Sequence, residues 1–155
     1  MEKKNGFLYA KAAVAALCGA FTAAFGWLGW LVLAWAVCMA LDWLSGSAAA
    51  ASRGEWSSAV ARAGIWHKAG MVVVVCVAAL TDIVLCVAMQ NLPGFDLDVD
   101  GVVLPVVLVW YIFTELGSIA ENALAMGAPC PAFLRKALEV AQAGLEAAGE
   151  GGKGE

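Results

Sequence analysis

The sequence predicts an all-α membrane protein: a small helical bundle of four transmembrane helices, with three as the alternative count, followed by a C-terminal amphipathic helix. Three observations lead there. Hydrophobic residues make up 63% of the 155 and charged residues only 14%, against roughly half and roughly a quarter in soluble domains. A soluble domain of this length still exposes roughly a third of its unfolded surface, too much for so apolar a chain to hide. The apolar runs also approach or exceed the about 20 residues that cross a bilayer as a helix. Finally, these runs carry isolated carboxylates at Asp42, Asp82 and Glu115, and acids in hydrocarbon are rare unless they have a partner or a task.

The N-terminal segment comes first. Lys3, Lys4 and Lys11 precede an apolar run from Ala12 to Leu41 without a charge. Its start resembles a secretory signal peptide, with Thr22-Ala23-Ala24 as a cleavage site, but the run continues through Trp27, Leu28 and Trp30 and so reads as a retained membrane segment. One helix over Ala12–Leu41 would be about 45 Å long, against a hydrocarbon core of about 30 Å. Two spans, 7–25 and 28–48, fit better if Gly26-Trp27-Leu28-Gly29 turns at the outer surface with its tryptophans in the interfacial belt. Ala12, Ala16, Ala20 and Ala24 repeat at four-residue spacing, a stripe suited to close helix contact in lipid.

The third span is read at 69–89 and the fourth at 102–124, with Pro105 in the first turn, where a missing N–H costs least. Between the second and third spans lies a basic loop, 52–68, with Arg53, Arg62 and Lys68. The loop from Asn91 to Gly101 carries no basic residue, but Asp96, Asp98 and Asp100. Four spans place all the basic regions in the cytoplasm and the acidic loop outside, as the positive-inside rule requires. Both termini are then cytoplasmic. Residues 1–128 form the transmembrane domain. After Pro129-Cys130-Pro131, Leu134, Leu138, Ala141 and Leu145 mark the apolar face of a cytoplasmic or interfacial helix over 129–148. Residues 149–155 read as a disordered tail.

The polar residues within this apolar frame are the candidate site. Tyr111, Glu115, Ser118 and Asn122, at spacings of four, three and four, share one face of the last span, with Glu121 on a neighbouring stripe. Such a face must meet protein or water, so it either locks helices together or lines a water-filled path or an oligomer contact. Asp42 and Glu115 fall in the cytoplasmic half, Asp82 nearer the outside. Arg53, Arg62 and Lys68 are the candidate partners for Asp42 and Glu121. His67 is the sole histidine, and one histidine without companions makes no site.

Several classes drop out. No Ser–His–acid set, phosphate loop or metal-ligand spacing is present, so neither catalysis nor a metal or other cofactor is expected. Cys18, Cys38, Cys76, Cys86 and Cys130 include no CxxC pair and read as packing residues or free thiols. No basic face is available for nucleic acid.

Asp42-Trp43-Leu44-Ser45-Gly46, Arg53-Gly54-Glu55-Trp56-Ser57-Ser58, and Gly64 with Lys68 resemble the first half of the phage holin family associated with toxin secretion and phage lysis. Asp82, Tyr111, Glu115, Ser118-Ile119, Glu121-Asn122 and Gly127-Ala128-Pro129-Cys130-Pro131 resemble its second half. The resemblance covers residues 10–140 and departs in the acidity of the 91–101 loop and in span count, since the family is often drawn with three. It implies a homo-oligomer in the bacterial inner membrane that permeabilises the bilayer. An endolysin, the functional partner, then reaches the cell wall without direct contact, or a large toxin is released. Two rival readings are a small proton-coupled multidrug-type transporter, although such exporters carry their key glutamate in the first span, and a non-lytic membrane scaffold subunit.

Overall fold

A computed structural model describes residues 2–94 and 101–150. They form α1 (Glu2–Ser52), α2 (Ser58–Asn91), α3 (Val103–Ala125) and α4 (Ala132–Glu150), with no strand among the described residues. Lys11–Ser52, α2 and α3 are long and apolar enough to cross a membrane. The expected all-α membrane fold is therefore present. Asp96, Asp98 and Asp100 of the acidic loop, and 151–155 of the expected tail, lie outside the described residues. The helical state reaches Glu150, past the expected boundary at 148.

The chain divides into two compact units, Met1–Leu33 and Ala34–Glu155. In the first, α1 is interrupted at one residue: Gly26 has φ 62° and ψ −162°, a region essentially reserved for glycine. Trp30 donates its indole N–H to the Thr22 hydroxyl at 2.9 Å and sets its ring 4.8 Å from Phe21. Residues eight and nine apart lie about 12–14 Å apart along a straight helix, so the chain bends sharply at Gly26. Gly29 is the second requirement of the bend, because a Cβ there would collide with Phe25 and crowd the Phe21 ring. The side chains of Ala12, Ala16, Ala20 and Ala24 are exposed.

In the second unit, the end of α1 runs parallel to α3: Trp35 stacks on Tyr111 at 6.2 Å, and further along Asn122 donates to Ser45. α2 runs opposite to both, with Lys68 against Glu115 near one end and Asp82 against Val103 near the other. α4 returns antiparallel along α3, since Gln142 meets Thr114 and Glu146 meets Trp110. Trp35, Cys38, Ala49, Ala50, Met71, Ala78 and Leu108 form a thin core, whereas Val73, Val77, Leu80, Ile83 and Val84 of α2 are exposed. An apolar exterior of this extent suits lipid rather than water.

The helix ends show why the breaks fall where they do. Gly54 (φ 70°) ends α1, with Glu55 N–H bonded to Ala50 C=O and Gly54 N–H to Ala51 C=O. Gly127 (φ 88°) ends α3 with the same pair of bonds, from Ala128 to Ala123 and from Gly127 to Leu124. Both are Schellman closures, which need a residue that tolerates positive φ.

One expectation needs correction. The 52–68 segment is not a loop, because Ser57 caps Val60 N–H at 3.2 Å and α2 begins at Ser58. Helix-favouring alanines at 59, 61 and 63 follow, so the connection shrinks to residues 53–57. Arg62 and Lys68 are helical residues of α2.

Candidate functional site

Three helices of the second unit bring Asp42, Lys68 and Glu115 together. Lys68 Nζ donates to Asp42 Oδ2 at 2.9 Å and to Glu115 Oε2 at 2.6 Å. Glu115 is only 3% exposed, the buried charged residue of the described chain. Asn122 donates from Nδ2 to Asp42 Oδ1 at 3.0 Å and to Ser45 Oγ at 3.1 Å, and Ser118 lines the same cleft as Asp42. Charged groups taken from water need such pairing and hydrogen bonding on every side. Here one ammonium joins two carboxylates from two other helices.

The local sequence explains how each group arrives. Tyr111, Glu115, Ser118 and Asn122 do occupy one face of α3, and that face is turned onto α1 and α2 rather than left open. Trp35, Cys38 and Asp42, at spacings of three and four, supply the matching stripe of α1. Gly46 lies against Asn122: a Cβ there would stand 3.4 Å from Asn122 Nδ2, an ordinary contact. Gly64 admits a closer approach on α2: a Cβ there would lie 3.3 Å from the ring of Trp43, whose indole donates to Ala61 C=O at 3.3 Å. A cleft of about 210 Å3 opens beside the cluster, lined by Asp42, Trp43, His67, Lys68, Ser118 and Asn122 among others. Water entering it reaches Asp42 and Lys68, while Glu115 sits deeper. The Trp35 indole N–H is buried with no partner among the described residues.

Asp82 stands apart. Its two oxygens accept from the backbone N–H groups of Val103 (3.0 Å) and Leu104 (2.8 Å). The next residue is Pro105, which has no N–H, and Val106 N–H already bonds Val102 C=O. The acid of one span therefore caps the start of the next, where the helix dipole also favours negative charge. The remaining expected residues are not gathered. Arg53 pairs with Glu55 at 2.9 Å, both largely exposed, and Arg62 and Glu121 are exposed.

Sequence reasoning named Lys68 among the candidate partners of Asp42, a pairing the structure holds, but placed it in a basic loop and so missed its second bond, to Glu115. The signal was available in Ser57 as a helix cap, which makes residue 68 a third-turn helical position facing inward with Met71. The capping role of Asp82 had no local signal, since its partners lie 21 and 22 residues away.

A family model described as the bacteriophage holin family matches residues 19–143. An uncharacterized protein of Halalkalibacterium halodurans is 32% identical over 100 residues, covering 64% of this chain and 69% of its own. No solved structure matches the chain.

Proposed function

The chain belongs to the bacteriophage holin family, and from that premise we propose that it self-associates in the bacterial inner membrane and permeabilises it. Endolysin then reaches the cell wall, or a large toxin leaves the cell. The observation that carries the reading is the Lys68 bridge between Asp42 and Glu115. It fastens three helices through charges that lipid cannot solvate, giving a unit whose polar stripe is satisfied internally while its apolar surface is free to meet lipid or other copies. Such a unit can accumulate without harm until association begins. Four spans and cytoplasmic termini are part of the proposal, supported by the break at Gly26 and by the distribution of basic residues.

The transporter alternative draws no support from the acids. Asp42 and Glu115 are engaged by Lys68, and Asp82 by a helix end. Inducible expression in bacteria, with and without a co-expressed endolysin, tests the reading. Growth and respiration should stop abruptly at a reproducible time, with lysis only when endolysin is present. Dye resistance without arrest would mark an exporter instead, and continued growth at high membrane abundance would mark a scaffold.

A further inference from the structure

α4 carries charges, yet it does not lie beyond the spans. It begins after the cytoplasmic end of α3 and climbs back beside it: Gln142 Nε2 donates to Thr114 Oγ1 at 3.5 Å and Trp110 Nε1 donates to Glu146 Oε1 at 3.4 Å. Leu145 and Glu146 share an apolar pocket with Val74 of α2 and with Val106, Val107 and Trp110 of α3. Trp110 lies fifteen residues before the end of α3, about 22 Å along its axis, most of the way through a hydrocarbon core of about 30 Å. Glu146 is thus at membrane depth.

Three sectors divide the surface of α4. Leu138, Ala141, Gln142 and Leu145 are half-buried in the direction of α3. Phe133 and Val140 are exposed on one flank, where the charge is Lys136, in the second turn of α4, from which a lysine side chain can reach the interface. On the other, Arg135, Glu139 and Glu146 follow one another at spacings of four and seven, a polar line along the helix that Gln142 borders on the side of α3. Its three charged members are exposed. An apolar flank can face acyl chains, but a line of charges at this depth cannot. The stripe of α3 cannot shelter it either, being already occupied by Asp42 and Lys68.

We infer that α4 is the lining element of the lesion, docked on α3 with its Arg135–Glu139–Glu146 line facing a water-filled lumen enclosed by further copies of the chain. Both signs occur on that line, so Arg135 of one copy can meet Glu139 of the next without net repulsion. The inference rests on the lytic reading above.

Single cysteines at Glu139, Glu146 and Val140, in a full-length chain whose five native cysteines are replaced and which still lyses cells, provide the test. A membrane-impermeant thiol reagent is added at the onset of arrest. Glu139→Cys and Glu146→Cys should label severalfold faster than Val140→Cys, and Leu145→Cys should form a disulfide with Val106→Cys or Val107→Cys. Equal labelling at the three positions, or no cross-link while lysis proceeds, would mean that α4 is a cytoplasmic or surface helix and would overturn the inference alone. Absence of arrest from the unmodified chain at high membrane abundance would instead remove the lytic reading itself.

Discussion

Lys68 faces two carboxylates with one positive charge, so its loss leaves both acids uncompensated in a low-dielectric setting. Removing one partner from a buried ion pair costs about 3–5 kcal/mol, and Lys68→Met should approach that figure. Glu115→Gln should cost less, since an amide oxygen still accepts from Lys68 and only one carboxylate remains to be matched. Thermal unfolding of the purified chain in detergent ranks the two, and a double variant that restores part of the loss would show the coupling directly. Unfolding of Lys68→Met at the parent temperature would mean that the bridge is incidental. In cells, Glu115→Gln and Ser118→Leu should shift the time of lysis at equal expression, because both alter the fastening that holds α3 to α1. Unchanged timing would separate the cluster from the function. The stripe on α3 was legible because four polar side chains at helical spacing stand out in an apolar run. Lys68 was legible as a partner of Asp42 but not of Glu115, because a lysine just before a long apolar run reads equally well as a loop cation.

Among the elements, α3 owes its start to another helix. Val102 offers no side-chain cap, and the carboxylate of Asp82 replaces it on Val103 and Leu104. Cap removal costs about 0.5–2 kcal/mol, so Asp82→Ala should loosen the first turn of α3 by that order. Hydrogen exchange at the Val103 and Leu104 amides reads the loss locally, whereas exchange at the other end of α3, near Asn122, should hardly change. Equal exchange in parent and variant would contradict the capping role. Helix existence was readable for all four elements, because apolar run length and the Gly and Pro breaks at 54, 127, 129 and 131 are local signals. The early start of α2 escaped because propensity and a single serine cap compete weakly with the charge pattern of 53–68. Gly26 was legible as a breaker, and the structure sharpens it from a four-residue turn to one residue in a glycine-only conformation. A side chain there costs about 1–3 kcal/mol, so Gly26→Val should destabilise the bend and extend the helix on one side or the other, which circular dichroism of a peptide over 10–35 in micelles would detect.

For the whole molecule the open variable is how often the chain crosses the bilayer, and length decides the expectation. The 42 residues of Lys11–Ser52 would form a straight helix of about 63 Å, twice the hydrocarbon thickness of about 30 Å. Tilt absorbs modest mismatch, with transmembrane helices averaging about 20°, which shortens the projected length by only a few per cent. A straight crossing would also strand Lys3, Lys4 and Lys11 on the outer side, against the bias that keeps basic residues in the cytoplasm. The sharp bend at Gly26, with Trp30 packed back on Phe21 and Thr22, would remove both difficulties if the first helix crosses twice, as proposed. The proposed polarity of the second unit would then follow: α2 would leave the cytoplasm near Lys68, Asp82 would cap α3 toward the outer side, and α3 would return the charge cluster to the inner half. Reporter fusions after residues 27, 56, 94 and 128 should accordingly give phosphatase activity at 27 and 94 and cytoplasmic fluorescence at 56 and 128. Cytoplasmic signal at 27, together with a thiol probe reaching Lys3→Cys from outside, would replace four crossings by three and move the N-terminus across the membrane. The Lys68 bridge, contained wholly in residues 34–155, would keep its place in either case.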